Sequence, residues 1–215
     1  MTQSVTLISV SQPRDIAADA NELISYCARV SNPQNQENFD TSDKLLAYCV
    51  RNQHWSIFEM VHLVYEINTT RDIGRQILRH RSFSFQEFSQ RYAKPTDLGT
   101  TLREARLQDP KNRQNSIENE DDTTQFRWNT LQLQTLQAAM AAYNEAIKIG
   151  LAKEVARAVL PEGLTMSRMY MAGSLRSYIH YCRLRMGNGT QKEHREIATM
   201  IWKILEVEFP FLKDI

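Results

Sequence analysis

Two hydrophobic periods recur along this chain, and they predict both strands and helices. Residues 5–10 are apolar and β-branched and are followed by a proline, which indicates a strand. Residues 61–67 place apolar side chains at every second position, which indicates another strand. We expect a third strand at residues 165–171.

Apolar residues at helical spacing account for most of the remaining chain. They predict helices at residues 15–30, 41–50, 70–80, 128–149, 174–186 and 191–207, with a short helix at 153–160 that Pro161 ends. Residues 54–59 are expected to form a loop, and residues 81–92 are too aromatic and irregular to assign. Helices dominate but strands recur, so the predicted fold class is α+β.

A polar segment interrupts this pattern. Residues 108–125 are charged and almost free of large apolar side chains, so we expect a surface insertion or a mobile loop. The sequence shows no internal repeat, and its 215 residues suit one domain, 1–215, with a single large core.

Charge and cysteine content exclude several classes of protein. The net charge of +1 gives no global field for a nucleic-acid backbone, so phosphate binding would need a local cluster of cations. Three cysteines without metal or redox spacing indicate reduced, buried thiols and no metal site. The chain shows neither a signal peptide nor an apolar run of about 20 residues, so we expect a cytoplasmic protein with no nucleic-acid or membrane partner.

A local cluster of cations does occur. Arg71, Arg75 and Arg79 lie at positions i, i+4 and i+8 of a predicted helix and share a face, where they repel one another unless an anion or solvent lies opposite. Hydroxyl, amide and aromatic side chains follow at residues 82–92. The pattern is compatible with an anionic ligand that has a planar portion, with a solvated helix face above core aromatics, or with docking of RNA or DNA, which the near-neutral charge disfavours.

The same segment resembles a known family. Arg79-His80-Arg81, followed after seven residues by Ser89, is similar to the RHR-x7-S signature of flavin-dependent thymidylate synthases. His54-x-Ser56-x-x-Glu59 and Ala156-Arg157-x-x-Leu160-Pro161 resemble two other motifs of that family, and residues 175–194 resemble its C-terminal helix pair.

This resemblance implies a fold and an activity. The fold would pack helices on a mixed or antiparallel sheet, and the protein would be a homotetramer whose active sites combine several subunits. The reaction would be the reductive methylation of dUMP to dTMP. In it 5,10-methylenetetrahydrofolate supplies the carbon, NADPH the reducing equivalents, and FAD carries the hydride.

The resemblance also implies which residues contact the ligands. For dUMP they are Gln76, Arg79, Glu87, Ser89, Gln90, Arg91, Arg157 and Arg185. For FAD they are Ser31, Ser56, Glu59, Arg79, His80, Arg81, Glu87, Ser174, Arg176 and His180. The family pattern is not followed at Met60, Gln86, Ser174, His180 and Gly189. Of these, Gly189 has no hydrogen-bonding side chain, so no flavin contact is expected there.

The expected mechanism needs no covalent adduct. None of the three cysteines lies in the Pro-Cys-His setting of thymidylate synthases that add a thiolate to C6 of uracil. Arg185 is the expected catalytic group, because a guanidinium at the N3–O edge favours the ionised uracil and makes C5 nucleophilic. Ser89 is expected to position the nucleotide, and His80, beside two arginines, to stay neutral. A flavoprotein that reduces a different nucleotide is the alternative.

Overall fold

The computed structural model describes residues 3–213 and consists of helices packed against one main sheet. Its elements in chain order are β1 (Ser4–Val10), α1 (Ala20–Ala28), α2 (Ser42–Arg51), β2 (His62–Thr70), α3 (Arg71–Ile77), β3 (Ser84–Glu87), β4 (Arg106–Gln108), β5 (Ser116–Glu118), α4 (Asp122–Lys148), α5 (Lys153–Ala156), β6 (Met166–Ser174), α6 (Leu175–Arg185) and α7 (Lys192–Glu208). Short 3-10 helices lie at Pro33–Asn35, Phe39–Thr41, Trp55–Glu59, Pro95–Asp97, Arg157–Val159 and Pro210–Leu212.

The main sheet has the strand order β1-β2-β6-β3, and each neighbouring pair is antiparallel. Strands β4 and β5 pair separately as a small antiparallel hairpin. The predicted α+β class is therefore confirmed, with an antiparallel sheet.

The central strand β2 shows the alternation that its sequence predicted. Leu63, Tyr65 and Ile67 are fully buried on one face, whereas His62 is exposed and Glu66 is half-buried on the other. Because successive side chains of a strand point to opposite faces, this pattern buries one face of the sheet. That face meets the helices in the core.

The core lies between the sheet and four helices. Ile24 of α1, Leu46 of α2, Tyr178 of α6 and Ile201 of α7 are all fully buried in one apolar cluster with the strand residues. At about 1.5–3 kcal/mol for each such side chain, this burial is the main contribution to the stability of the fold.

Two strands continue directly into the helices that carry the candidate site. β2 ends at Thr70, where α3 begins, and β6 ends at Ser174, where α6 begins. The register pairs Thr70 with Met166 and His62 with Ser174, so the two helices start from opposite ends of the sheet. Their C-terminal segments nevertheless meet, and this meeting forms part of the candidate site.

A glycine in β6 makes room for the signature segment. A Cβ atom at Gly173 would collide with the ring of Phe83, which is buried beside Tyr178. Phe83 lies just after Arg79-His80-Arg81 and just before β3. The missing side chain at Gly173 therefore lets Phe83 anchor this segment to the core.

The first helix is shorter than its hydrophobic period suggested. It begins at Ala20 because Asp19 caps it: the Asp19 carboxylate accepts a hydrogen bond from the Glu22 amide at 2.9 Å. The Glu22 carboxylate in turn accepts from the Ala18 amide at 2.6 Å. The Asp19 cap sets the boundary, and the Glu22 carboxylate also binds the amide of the residue before the cap.

The predicted helix at 70–80 is also shorter, since α3 ends at Ile77. Arg79 therefore lies beyond the helix that carries Arg71 and Arg75. Part of the unassigned segment 81–92 forms the edge strand β3, which pairs with β6 through Phe85 and Met171.

The polar segment 108–125 contains regular structure. It includes the end of β4, all of β5 and the first turn of α4, which therefore begins before the predicted residue 128. Asp121 caps α4 by accepting from the amides of Thr123 and Thr124 at 3.0 and 3.1 Å. This turn is largely exposed, so it needs no apolar stripe, and hydrophobic periodicity could not reveal it.

Helix α4 is the longest in the structure, with 27 residues, yet it buries only Gln132, Leu136 and Tyr143. Phe126 and Leu133 are exposed at 75% and 48%. No helix within residues 3–213 is long and apolar enough to cross a membrane.

Candidate active site

The first part of the candidate site is a cleft of about 460 Å³ beside α3, here called the arginine cleft. It is lined by Arg71, Arg75, Gln90, Glu154, Arg157, Ala158, Leu160 and Glu162. The arginines of α3 lie on one side, and the 3-10 helix Arg157–Val159 supplies the other. Gln90 comes from the chain that follows β3.

Carboxylates compensate two of the three guanidinium groups. Arg71, only 7% exposed, lies 3.4 Å from Glu87 and 3.9 Å from Glu162, and Arg75 pairs with Glu162 at 3.0 Å. Arg157 has no ion pair within residues 3–213. The arginine cleft thus keeps one half-buried cation available for an anion.

Gln90 adds an unused donor to the same cleft. The residue is 4% exposed, and its Nε2 atom has no hydrogen-bond partner among the described residues. A buried amide without a partner costs about 1–3 kcal/mol. An acceptor oxygen in the cleft would remove that cost.

The signature segment beyond β3 is held by several polar contacts. Ser167 donates a hydrogen bond to Glu87 at 2.8 Å, so Glu87 is fixed between a hydroxyl and Arg71. Ser89 Oγ accepts from the Arg91 amide at 3.3 Å, and Arg91 pairs with Glu154 at 3.3 Å on the surface. Four predicted nucleotide contacts, Glu87, Ser89, Gln90 and Arg91, therefore lie on one continuous stretch beside the cleft.

The second part of the site lies where the C-terminal ends of α3 and α6 meet. Arg185 Nε donates to His80 Nε2 at 2.9 Å. Because a guanidinium can only donate, His80 Nε2 must be unprotonated, and the neutral ring carries its proton on Nδ1. Burial, followed by the charges of Arg185 and Arg79, lowers the pKa of His80 to about 4, so the expected neutral form is supported.

Behind His80 lies a buried chain of hydrogen bonds. Tyr181 and His194, 2% and 0% exposed, are joined through the hydroxyl and Nε2 at 2.9 Å. His194 Nδ1 lies 3.3 Å from Gln76 Oε1, and Gln76 Nε2 donates to Gln191 at 2.7 Å. The amide of Gln76, a predicted nucleotide contact, is thus held from two sides.

The third part of the site is a polar surface beside the 3-10 helix Trp55–Glu59, here called the Trp55 surface. Arg176 of α6 pairs with Glu59 at 3.0 Å, and the His180 ring lies edge-on to Trp55 at 4.5 Å. Burial, followed by Arg176 and Arg183, lowers the pKa of His180, against a smaller opposing effect of Glu59. Ser56 is exposed on the same 3-10 helix.

The remaining predicted flavin contacts occupy varied positions. Ser31 is exposed beyond the end of α1, a helix that packs against the 3-10 helix Trp55–Glu59. Arg79 and Arg81 are exposed on either side of His80. Ser174 is buried and caps α6, with its hydroxyl oxygen accepting from the Ser177 amide at 3.3 Å.

Most of the predicted residues lie in these three parts, whereas Ser174 is a buried helix cap. No hydrogen bond or ion pair joins Arg157 to Arg185 within residues 3–213. Arg157 belongs to the arginine cleft, and Arg185 contacts His80. The two arginines therefore share no direct contact among the described residues.

Sequence reasoning did not identify several residues that shape the site. Glu162 neutralises Arg75 from 87 positions away, a separation that no local pattern reveals. The sequence assigns no ligand contact to Tyr181 or His194, although His194 lies in the segment that resembles the family's C-terminal helix pair. The adjacency of Gln191, Glu193 and His194 at the start of a helix was the available signal, since three polar residues there exceed what a cap requires.

Acid should lower the stability of this fold, because the half-buried His80 and the buried His194 are neutral in the folded state. Burial, then Arg185 and His80, lowers the pKa of His194 to about 3, and His80 titrates at about 4, whereas an unfolded histidine titrates near 6.5. Between pH 6.5 and pH 4 the unfolded chain binds more protons, so the free energy of unfolding falls as the pH falls. We expect the urea midpoint to drop between pH 7 and pH 5.

A matched variant isolates one imidazole. His194→Asn cannot titrate in this range, so its urea midpoint should change less between the two pH values than that of the wild type. His62→Gln, which removes an exposed histidine on β2, should behave like the wild type. An equal drop in all three proteins would show that the neutral form of His194 does not contribute.

Comparison with known proteins connects this geometry to a family. The family model described as "Thymidylate synthase complementing protein" matches residues 14–211. A flavin-dependent thymidylate synthase of Synechocystis sp. is 50% identical over 211 residues, which cover 96% of this chain and 95% of the relative. A probable flavin-dependent thymidylate synthase of Paramecium bursaria Chlorella virus 1 is 48% identical over 208 residues, with the same two shares of 96% and 95%.

A solved structure shares the fold. It is the crystal structure of a UMP/dUMP methylase, PolB, from Streptomyces cacaoi bound with 5-Br dUMP, with a TM-score of 0.84 and 23% sequence identity. The match covers 99% of this chain and 93% of that one. The two relatives and the family match, which span nearly the whole length, show that this chain belongs to the thymidylate synthase complementing protein family, that of the flavin-dependent thymidylate synthases.

Proposed function

We propose that this protein is a methyltransferase that converts dUMP to dTMP, with FAD as its flavin and with NADPH and 5,10-methylenetetrahydrofolate as co-substrates. Membership of the family and two relatives of nearly equal length support this activity. The product assigns the protein to dTMP biosynthesis.

The observation that carries the proposal is the arginine cleft. A nucleoside monophosphate brings a phosphate with up to two negative charges and several acceptor oxygens. Among residues 3–213, Arg157 has no carboxylate partner and Gln90 Nε2 has no acceptor. They offer a charge-assisted hydrogen bond and a neutral donor to a phosphate. Ser89 and Arg91, on the same stretch as Gln90, complete the proposed phosphate contacts.

The Trp55 surface suits the flavin. The guanidinium of Arg176, the imidazole of His180 and the hydroxyl of Ser56 can donate to a pyrophosphate or to the polar edge of an isoalloxazine ring. Ser31 lies beyond α1, which packs against this surface. Glu59 can accept from a ribose or ribityl hydroxyl. This donor and acceptor set fits FAD.

Arg185 is proposed to activate the uracil. Its Nε atom is bound to neutral His80, so the contact does not neutralise its charge, and no carboxylate pairs with it within residues 3–213. The two terminal nitrogens are left for the uracil N3–O edge. A guanidinium in that position stabilises the ionised ring, spreads negative charge into C5 and makes C5 the nucleophile.

The other residues of the signature segment hold the two ligands. Bound FAD supplies the hydride chemistry, and the protein supplies orientation and fixed charge. His80 presents an N–H donor at Nδ1, and Arg79 and Arg81 on either side of it can bind phosphate or ring oxygens. Gln76 and Glu87 are proposed to contact the sugar or base of dUMP.

The proposed assembly is a homotetramer with shared active sites. Arg157 lies in the arginine cleft and Arg185 beside His80, and an active site shared between chains would allow both to contact one nucleotide. The exposed apolar side chains of α4, with Phe126 at 75% and Leu131 at 51%, suit burial against another copy. Nucleic acid and membranes are not among the proposed partners, and the three free cysteines suit the reducing cytoplasm.

A cysteine nucleophile is not part of the mechanism. Burial raises the pKa of Cys182, Cys27 and Cys49, so each thiol stays protonated at neutral pH. We expect Cys182→Ala and Cys27→Ala to retain dTMP formation, although loss of the fully buried Cys182 thiol should lower the melting temperature by about 2–4 °C. A variant that stays folded but forms no dTMP would restore the thiolate mechanism.

The visible spectrum of the purified protein tests the proposed function. A flavin spectrum that NADPH bleaches, more readily in the presence of dUMP, followed by dTMP formation when methylenetetrahydrofolate is added, is the expected result. A flavin spectrum with no response to dUMP would favour reduction of a different nucleotide. A colourless protein that forms no dTMP with added FAD would contradict the proposal.

A further inference from the structure

Five side chains form a continuous hydrogen-bonded chain behind the proposed nucleotide site. In order they are Tyr181, His194, Gln76, Gln191 and Glu193, here called the buried relay. The links measure 2.9, 3.3, 2.7 and 2.9 Å. Two of the five residues, Tyr181 and His194, are almost completely buried.

The Glu193 end of the relay is anchored by two arginines. Arg106 donates to Glu193 at 2.7 Å, and Arg103 lies 3.5 Å from it. Burial alone would raise the pKa of Glu193, but the charge of Arg103 and the hydrogen bond from Arg106 hold this pKa below its usual value. Glu193 is therefore ionised at neutral pH and can only accept hydrogen bonds.

Because Glu193 can only accept hydrogen bonds, it determines which group donates and which accepts at each link of the buried relay. Since Glu193 accepts, Gln191 must turn its NH2 group towards Glu193 and its carbonyl oxygen towards Gln76. Gln76 must then donate through Nε2 and turn Oε1 towards His194.

The same direction continues to Tyr181. Because Oε1 of Gln76 can only accept, His194 must carry its proton on Nδ1, which leaves Nε2 to accept from the Tyr181 hydroxyl. The buried imidazole is thereby fixed in one tautomer by partners on both of its nitrogens.

We propose that His194 is a positioning residue that, through this fixed tautomer, holds the Gln76 amide with its second N–H and its remaining lone pair turned towards the nucleotide. Without the Nδ1 donor, Gln76 Oε1 would lose its partner, and the hydrogen bond from Nε2 to Gln191 alone would orient the amide. A partner that orients a ligand-binding group in this way contributes to affinity without touching the ligand. The inference rests on the proposed binding of dUMP by Gln76.

Two variants of His194 distinguish the roles of its two ring nitrogens. Asparagine places an amide N–H near the position of Nδ1, whereas glutamine places its amide near the position of Nε2. We expect His194→Gln to raise the Kd for dUMP about tenfold, measured by calorimetry on the flavin-loaded protein. His194→Asn should bind dUMP nearly as well as the wild type, and the control His62→Gln should bind it equally well.

The kinetic readout distinguishes positioning from general destabilisation. In His194→Gln the KM for dUMP should rise while kcat at saturating dUMP stays close to that of the wild type, since the relay does not touch the reacting atoms. Tyr181→Phe, a nearly isosteric change, removes one of the two partners that fix the His194 tautomer, so it should raise the KM for dUMP to a smaller extent. Equal Kd values for His194→Gln and His194→Asn, or an unchanged Kd in His194→Gln, would overturn the proposal.

A separate measurement tests the relay without reference to dUMP. In magic-angle-spinning NMR of ¹⁵N-histidine-labelled protein, His194 is identified by the loss of its signals in His194→Asn, and we expect it to be protonated at Nδ1. Protonation at Nε2 would contradict the proposed order of donors and acceptors along the buried relay. If the wild type bound no dUMP, the proposed function would be wrong. The spectrum would still show which nitrogen of His194 carries the proton, and so would still test the buried relay.

Discussion

Replacing Arg185 with alanine is expected to lower kcat for dTMP formation by about 100- to 1,000-fold, the range seen when one preorganised donor to a developing oxyanion is removed. The guanidinium of Arg185 at the end of α6 is the group proposed to stabilise the ionised uracil, and its Nε atom donates to His80. Flavin content should fall much less than turnover, because the Trp55 surface is untouched. Stopped-flow and steady-state assays of dTMP, together with the flavin absorbance, measure both quantities.

Arg51→Ala is the matched control for this prediction. Arg51 occupies the last turn of α2, as Arg185 occupies the last turn of α6, so both substitutions remove the same favourable charge from a helix C-terminus. Arg51 is exposed and outside the three parts of the site. If Arg185→Ala and Arg51→Ala had the same kcat, Arg185 would have no catalytic role.

Replacing Arg157 with alanine should weaken dUMP binding by about tenfold to a hundredfold, because a charge-assisted hydrogen bond contributes about 1.5–3 kcal/mol. Arg157 is the cation of the arginine cleft for which the described part of the chain supplies no carboxylate partner, so its charge is the one available to a phosphate. Calorimetric titration with dUMP measures the loss. Deoxyuridine, which lacks the phosphate, should bind the wild type and the variant equally weakly.

Arg14→Ala, at an exposed arginine before α1, controls for the loss of one positive charge and should leave dUMP affinity unchanged. If Arg157→Ala weakened dUMP and deoxyuridine by the same factor, Arg157 would contact the base or sugar instead. Undiminished dUMP affinity in Arg157→Ala would exclude the arginine cleft as the phosphate site.

Local sequence patterns predicted those parts of the fold that local physics determines. The strand at 61–67 could be predicted because its apolar and polar positions alternate, and Leu63, Tyr65 and Ile67 are fully buried in the structure. Helix boundaries were less accurate, since the N-cap Asp19, and not the apolar stripe, decides where α1 begins. The edge strand β3 exists through its pairing with β6, which is a tertiary contact.

The same division applies to the site. The spacing of Arg71 and Arg75 indicated an anion opposite them, and Glu87 and Glu162 provide it, but only folding brings Glu162 to α3. The two arginines proposed for dUMP, at positions 157 and 185, lie in separate parts of one chain. In the proposed assembly they meet through association between chains, which no pattern within a single sequence encodes.

In the proposed active site, the guanidinium groups of Arg157 and Arg185 converge on one uridylate beside a flavin. A crystal structure of the assembled protein with FAD and dUMP tests it most directly. The predicted result places Arg157 within hydrogen-bond distance of the phosphate and Arg185 at the N3–O edge of the same nucleotide, with the flavin ring against the uracil. A structure in which the two arginines face unrelated surfaces of the oligomer, with dUMP bound by neither, would contradict the claim.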